Sequence, residues 1–359
     1  MAFGHCSTAQ AQTNASSALS GSITADISDS TLLAANPNRP LPPQGALDVS
    51  LSVWDAGIPI DQAQHQRKGI YPQVRRAESI YFPLLLRKVL HEDNSWGDVR
   101  LVPEQENTAE LMVSGKILQA NGQQLAIRII AQDSSGRIWL NRRYSAQYGQ
   151  NDYRQKEAYL PLFRSLNQDL KRARASLSDK QIKQLPLIAE LRYAAALAPD
   201  TFSSYINEQN ERYSYVRLPA TDDPMLLRIQ ALHQQEDRFF DAMDKIYLEL
   251  MTNFQPRYSY WRQQNLAHTS YLQQQSTKQQ SSGERSGSYT SLSHSYGNYR
   301  RARVQQENLE QLAEGFNNEL SPTVVALDDR VIHLNGSFDT QYREWKRILQ
   351  QLYKLEVSQ

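Results

Sequence analysis

Three runs of alternating apolar residues, separated by two tight-turn signals, constrain this chain more than any other feature. Leu111, Val113 and Ile117 share one face of the run from Glu110 to Gln119. Leu125, Ile127 and Ile129 share one face of Gln124 to Asp133, and Ile138, Leu140 and Tyr144 one face of Arg137 to Gln147. A period of two is that of a half-buried strand. Asn121-Gly122 stands between the first two runs, and both residue types tolerate the positive φ of a tight hairpin turn. Ser134-Ser135-Gly136 separates the second run from the third. The pattern predicts a three-stranded antiparallel meander.

The flanking segments complete an α/β unit. Val49, Leu51 and Val53 alternate in a first strand that Gly57 and Pro59 end. From Pro72 the period becomes helical, with Val74, Ala77, Tyr81, Leu85 and Val89 at three- and four-residue steps up to about Glu92. Pro83 inside this run predicts a kink or restart. Asp98 to Val102 is a short strand stopped by Pro103. An amphipathic helix from about Asp152 to Arg174 is expected to pack back on the sheet through Leu162, Phe163, Leu166 and Leu170.

Beyond Ser178 the periodicity is helical to about Phe254. Asp179 caps one helix, lined by Leu185, Ile188, Leu191, Ala195 and Ala198. Asp222-Asp223-Pro224 starts another, with Leu227, Ala231, Phe239, Met243, Ile246 and Leu250 as its stripe. Between Tyr258 and Tyr299 the composition shifts to Gln, Ser, Tyr, Gly and Arg; one reading extends the helix into part of it, and Ser276 to Asn298 reads as a flexible linker or long loop. Helix resumes near Arg303 to Asn318. Thr323 to Leu327 and Val331 to Leu334 flank Asp328-Asp329 as a hairpin. Asn335-Gly336 then turns into a helix with Phe338, Tyr342, Trp345, Leu349 and Leu352 on one face. The fold class is α+β. An N-terminal α/β sandwich-type domain over 46–176 precedes a helical region over 177–272. A linker over 273–298 and a helix plus hairpin–helix module over 299–359 complete the chain.

Residues 1–45 read as a signal remnant and disordered tether. Ala9-Gln10-Ala11 is an A-x-A cleavage signal, and the Ser-, Ala-, Asn- and Pro-rich stretch after it lacks apolar period. A cleaved export signal is the first reading, a tail with a chance A-x-A the second. The third is a lipoprotein through Cys6, which His5 does not suit as the preceding residue. Cys6 is the single cysteine, so no internal disulfide forms. Lys and Arg number 39 against 38 for Asp and Glu, a net charge of +1. Such a balance gives no global field for a nucleic acid or an anionic membrane. No run of about 18 apolar residues is present to span a bilayer.

Three resemblances rest on short phrases of the chain. Trp96-Gly-Asp-Val-Arg-Leu-Val-Pro103, Val113-Ser-Gly-Lys-Ile117 and Asp133-Ser-Ser-Gly-Arg-Ile-Trp139 form a series that resembles the small α/β domains at the N-terminus of TolB and in CsgG-type envelope proteins. Ile70-Tyr-Pro-Gln-Val-Arg-Arg-Ala-Glu78 and Gln341-Tyr-Arg-Glu-Trp345 are similar to phrases of uncharacterised exported proteins of Gram-negative bacteria. Arg330-Val-Ile-His-Leu-Asn-Gly336 looks like half of a BON module, with Arg330 in place of the usual glycine. These resemblances imply an envelope location and supply no catalytic residue.

The chemistry-bearing residues each have a simpler role. His233, Glu236 and Asp237 lie within about one helical turn, but the second His of a zinc helix is absent. No G-x-S-x-G elbow and no glycine-rich phosphate loop occurs. Ser291 and His294 adjoin in a Ser-rich stretch without an orienting carboxylate. Asp222-Asp223 and Asp328-Asp329 have local work in a cap and a turn. Lys171 to Arg174 and Tyr296 to Arg303 are short basic clusters of the kind found at helix ends. No catalytic, metal or cofactor-binding residue is therefore assigned, and no cofactor. The expected surface for interaction is aromatic and basic: Tyr258, Tyr260, Trp261, Tyr271, Tyr296, Tyr299, Arg300 and Arg301. The expected function is a non-enzymatic scaffold or interaction protein, periplasmic or outer-membrane-associated, with a protein partner or a cell-wall glycan. An envelope enzyme acting on glycans, its carboxylates gathered by the fold, is the alternative. Cytosolic RNA binding is a third class, requiring the Tyr/Arg segment to line a basic groove.

Overall fold

A computed structural model describes residues 45–281, 320–327 and 330–357, apart from 69, 104–108, 150 and 155–157, with scattered residues between 296 and 311. The tail with Cys6, Ser291 and His294, Asp328-Asp329 and Arg301 lie outside the described residues.

The fold is α+β. Its centre is a five-stranded mixed sheet of order β2-β1-β3-β4-β5, made of β1 (Val49–Ser52), β2 (Val99–Val102), β3 (Leu111–Ala120), β4 (Gln124–Asp133) and β5 (Ile138–Gln147). β1 runs parallel to both β2 and β3, and β3, β4 and β5 form the predicted antiparallel meander. The inward sets of β3 and β4 are fully buried, Leu111, Val113, Ile117, Leu125, Ile127 and Ile129 all at 1% exposure or less. In β5 the pattern holds for Tyr144, whereas Ile138 is 54% exposed. The hairpin at Asn121-Gly122 forms, but only Gly122 is left-handed, at φ 89°. The Asn121 side chain instead accepts from the Gln123 and Gln124 amides at 3.1 and 2.9 Å, closing the turn from its first position.

Helix α1 (Ala63–Lys68) is short, and α2 (Pro72–Asp93) packs on the sheet. The predicted restart at Pro83 does not occur: α2 is one helix of 22 residues. A proline leaves the carbonyl four residues earlier without its helical donor. Here that carbonyl, on Ser79, accepts from the Trp54 amide at the end of β1 at 2.9 Å. The proline thus frees an acceptor that fastens helix to sheet. Helix α3 (Leu160–Ala175) starts later than its period predicts, because Pro161 favours a helix start; a 3₁₀ turn, Asp152–Arg154, lies among the described residues before it. Leu162, Phe163, Leu166 and Leu170 are buried as expected.

Helix α4 (Asp179–Leu197) begins with a capping box between Ser178 and Gln181. The short α5 (Pro199–Phe202) follows. The region predicted to be wholly helical then contains a two-stranded hairpin, β6 (Ile206–Gln209) and β7 (Arg212–Tyr215). Its turn is Asn210-Glu211, both left-handed at φ 52° and 59°. Helix α6 (Pro224–Ser281) is continuous for 58 residues, so it runs into the segment expected to be a linker. Its inward stripe at the start is Leu226, Ile229 and Leu232, displaced by one residue from the predicted one, and Leu227 is 50% exposed. Phe239 and Met243 are buried as predicted, whereas the next buried position is Tyr247, and Ile246 and Leu250 pack only at the margin of the core.

The hairpin β8 (Leu320–Leu327) and β9 (Arg330–Gly336) leads into α7 (Phe338–Val357). Phe338, Tyr342, Trp345 and Leu349 of α7 are buried, and Leu352 packs at the margin. Phe239 of α6 stacks within 6.3 Å of Phe338, Tyr342 and Trp345. One hydrophobic core runs from the sheet and α2 through α6 to α7. No described helix is long and apolar enough to cross a membrane.

Candidate functional site

Three constellations of polar residues stand out, and they differ in what they leave available. The first is sealed. Arg75 and Glu78 of α2 and Tyr258 and Arg262 of α6 meet under the β3–β4 turn, each 2% exposed or less. Arg75 pairs with Glu78 at 3.2 Å, and Arg262 pairs with the same carboxylate. Both guanidiniums also donate to the Ala120 carbonyl, at 3.2 and 3.0 Å. Tyr258 donates to Glu78, and its hydroxyl lies 3.3 Å from that of Tyr159. Burial drives the Tyr258 and Tyr159 hydroxyls well above the usual tyrosine range, so both stay protonated. Tyr71 meets Trp261 edge-on at 5.3 Å, and the Arg262 guanidinium lies 4.6 Å from that ring. This cluster joins α6 to the α/β layer and presents nothing to solvent.

The second constellation is acidic. Asp48, Asp98 and Glu110 sit at the starts of the three parallel strands, near Asp237, Asp241 and Asp244 of α6. Arg100 reaches Asp98, Asp237 and Asp241 at 3.0–3.3 Å, and Arg87 reaches Asp244 at 2.8 Å. Burial, reinforced by the Asp48 charge, pushes Glu110 up to about 7. Burial also pushes Asp237 up to about 6 and Asp244 up to about 7. A carboxyl titrating near neutrality is able to exchange a proton with a substrate. These oxygens have local partners, however. Glu110 accepts from the Asp48 amide at 2.6 Å, and Asp48 from the Asp98 amide at 2.6 Å, which ties the strand ends together.

The residues weighed for zinc point to separate partners. His233 stacks on Tyr193 at 4.3 Å, Glu236 accepts from Tyr342 at 2.7 Å, and Asp237 faces Arg100. Among the described residues no group of three or more His, Cys, Asp or Glu is arranged to hold a metal ion.

The third constellation is open: a cleft of about 420 Å³ between the β4–β5 turn, α4 and β7. Such a volume suits a small ligand or a short stretch of chain. Local geometry builds its walls. Gly136 is left-handed at φ 81°, and a β-carbon there would lie 1.9 Å from the Glu211 carbonyl oxygen, so only glycine lets the β4–β5 turn meet the β6–β7 turn. The Tyr213 amide donates to the Ser135 carbonyl at 2.9 Å, joining β7 to that turn. Ser134 donates to the Leu185 carbonyl at 2.7 Å and accepts from Arg192 through its own carbonyl at 2.8 Å, joining the turn to α4. Arg192 also lies 3.7 Å over the Tyr213 ring.

Leu185 and Ile188 give the cleft an apolar floor, and Gln181, Gln184, Tyr213 and Tyr215 give it polar walls. Its one carboxylate is occupied: Asp133 accepts from the Ser135 hydroxyl at 2.6 Å, the Arg137 amide at 3.0 Å and the Trp139 indole at 2.8 Å. Two guanidiniums are not. Arg137 and Arg212 line the cleft, and neither side chain has an ion pair or hydrogen bond among the described residues.

The described members of the aromatic and basic set predicted as an interaction surface divide between core and surface. Tyr258 and Trp261 are buried, at 0% and 5% exposure, and serve intramolecular packing. Tyr260, Tyr296, Tyr299 and Arg300 are exposed, and the side chain of Tyr271 and all of Arg301 lie outside the described residues. The basic run from Lys171 is absorbed locally, with Lys171 on Asp93 at 2.8 Å, Arg172 on Asp169 and Arg174 on the Gly45 carbonyl at 2.8 Å. The sequence reading misses Arg137, Arg212 and their neighbours. The available signal was the alternation in Arg212-Tyr-Ser-Tyr215, lost inside a region read as helical. Comparison with protein-family models, with curated proteins and with solved structures finds no match for this chain.

Proposed function

We propose that this chain is a non-enzymatic interaction protein of the bacterial envelope, periplasmic or outer-membrane-associated, that docks a partner through the cleft between the β4–β5 turn, α4 and β7. The carrying observation is the pair of uncommitted guanidiniums, Arg137 and Arg212, over an apolar floor in an open cleft whose only carboxylate is already saturated. Such a lining favours recognition: it offers charge, hydrogen bonds and tyrosine faces, while Glu110, Asp237 and Asp244, the carboxyls that burial raises toward neutrality, lie outside it. The envelope assignment is supported by Ala9-Gln10-Ala11 and the low-complexity stretch behind it.

The test is fractionation of the chain expressed from its own locus with a C-terminal tag, followed by cross-linking. Recovery in the periplasmic or membrane fraction, with cross-linked species that disappear in R137E/R212E, is the expected result. Recovery in the cytosol with an unprocessed N-terminus would overturn the envelope assignment.

A further inference from the structure

The cleft is bounded on one side by a strand edge, and this narrows the chemistry of what it holds. In an antiparallel pair successive residues alternate between those that exchange backbone bonds with the partner strand and those whose N–H and C=O point away from it. β6 and β7 are joined by the two-residue turn Asn210-Glu211, with Gln209 opposite Arg212, Glu208 opposite Tyr213 and Ile206 opposite Tyr215. The Tyr213 amide points away from β6, since it donates to Ser135 at 2.9 Å. Two residues on, the Tyr215 backbone points to the same side by the same alternation. All four β7 residues line the cleft, as they must when a strand meets a cavity through its edge.

We infer that the cleft takes an extended peptide segment carrying acidic side chains, which adds alongside the Tyr215 end of β7 and places its carboxylates on Arg137 and Arg212. A strand edge recognises an extended backbone by main-chain hydrogen bonds, with side-chain pockets supplying specificity. A guanidinium matches a carboxylate in bidentate geometry. The two arginines stand on different walls, Arg137 at the β4–β5 turn and Arg212 at the start of β7, so the favoured segment carries more than one acid. Gln181 and Gln184 add amide donors from α4, and the Leu185–Ile188 floor receives an apolar side chain between the acids. This inference rests on the cleft being the docking site, and it adds the class of partner.

The experiment is a titration of the purified full chain with fluorescently labelled decapeptides, followed by anisotropy. An alternating Glu-Thr peptide is the probe. A Gln-Thr peptide tests charge, a Glu-Thr peptide N-methylated at alternate residues tests the edge, and an oligouronate tests whether carboxylates on a glycan suffice. Saturable binding of Glu-Thr is expected, weakened about tenfold in each of R137A and R212A, weakened by salt, and lost with Gln-Thr and with the N-methylated peptide. Far-ultraviolet circular dichroism of both variants should match the parent, since neither side chain has an ion pair or hydrogen bond among the described residues. Equal affinity for Gln-Thr, or binding indifferent to both arginines, would overturn the inference. So would binding of the oligouronate and not of the peptide. The titration uses purified protein, so its outcome is independent of the compartment found by fractionation.

Discussion

At the scale of the single residue, Glu78 balances two buried charges at once. It is one carboxylate between two guanidiniums, all three side chains at 2% exposure or less. A charge left unpaired in the interior is costly, and removing one partner of a buried pair typically costs about 3–5 kcal/mol. Glu78→Gln leaves Arg75 and Arg262 facing each other without compensation and is expected to lose stability in that range. Arg262→Met leaves the neutral Arg75–Glu78 pair intact and restores charge parity. It is expected to cost clearly less, although Ala120 and Tyr258 each lose a donor. Urea denaturation midpoints of the two variants check the order, and a milder effect for Glu78→Gln would refute this account of the cluster. None of this was legible in the sequence. Arg75 and Glu78 lie on α2 at helical spacing, but their third partner is 184 residues away on α6, and periodicity says nothing about which exposed-looking charges a second helix will cover. The same blindness explains Pro83, whose local effect was predictable and whose compensating Ser79–Trp54 bond was not.

At the scale of the element, the meander was readable because everything that defines it is local. Alternation sets the faces, and Gly122 and Gly136 occupy left-handed turn positions that glycine takes without strain. The β6–β7 hairpin was not readable for the converse reason. Its turn places Glu211 at φ 59°, where a glycine is normally the signal, and its strands have four residues each. The hairpin is held from outside, by Ser135 and by Arg192 over Tyr213, so its existence depends on the β4–β5 turn reaching it. Gly136→Ala tests that dependence. The new β-carbon meets the Glu211 carbonyl at 1.9 Å in a backbone conformation that alanine resists. The expected loss is about 1–3 kcal/mol, with faster amide exchange of Tyr213 and the meander interior unchanged. Hydrogen exchange read by peptide separates this from general unfolding, because protection lost equally in β3 and β4 would contradict it. The stripe of α6 fails at the same scale and for a related reason. Leu226 and Leu227 are adjacent candidates for one face, and only the neighbour that α6 packs against decides between them.

At the scale of the whole molecule, the acidic cluster makes stability depend on pH in a direction opposite to the usual one. Glu110 comes from the start of the central strand β3, and Asp244 and Asp237 from α6; burial raises all three, to about 7, about 7 and about 6. A group whose folded proton affinity exceeds its unfolded value contributes stability below the unfolded pKa and loses it as pH rises through the folded one. Unfolded Glu and Asp titrate near 4.5 and 3.8, so the loss sets in near pH 3.8 for Asp237 and Asp244 and near 4.5 for Glu110, and is complete by about pH 6 for Asp237 and about pH 7 for the other two. Asp55 and Asp93 are shifted the other way, Asp55 chiefly by its hydrogen bond to Lys116 and Asp93 by its bonds to Lys171 and Asn167, which outweigh desolvation. Their stabilisation is fully present above about 3.8 and is lost only in more acid solution, so it does not vary across the same window. The chain is therefore expected to be more stable toward denaturant at pH 5 than at pH 8. Glu110→Gln combined with Asp244→Asn should flatten that slope, raising the pH 8 midpoint relative to the pH 5 one, because the amides cannot ionise. A parent protein whose midpoint rises from pH 5 to pH 8 would show that the Arg87 and Arg100 partners outweigh burial. The acidic face would then be a set of satisfied ion pairs and not a store of electrostatic strain between the sheet and α6.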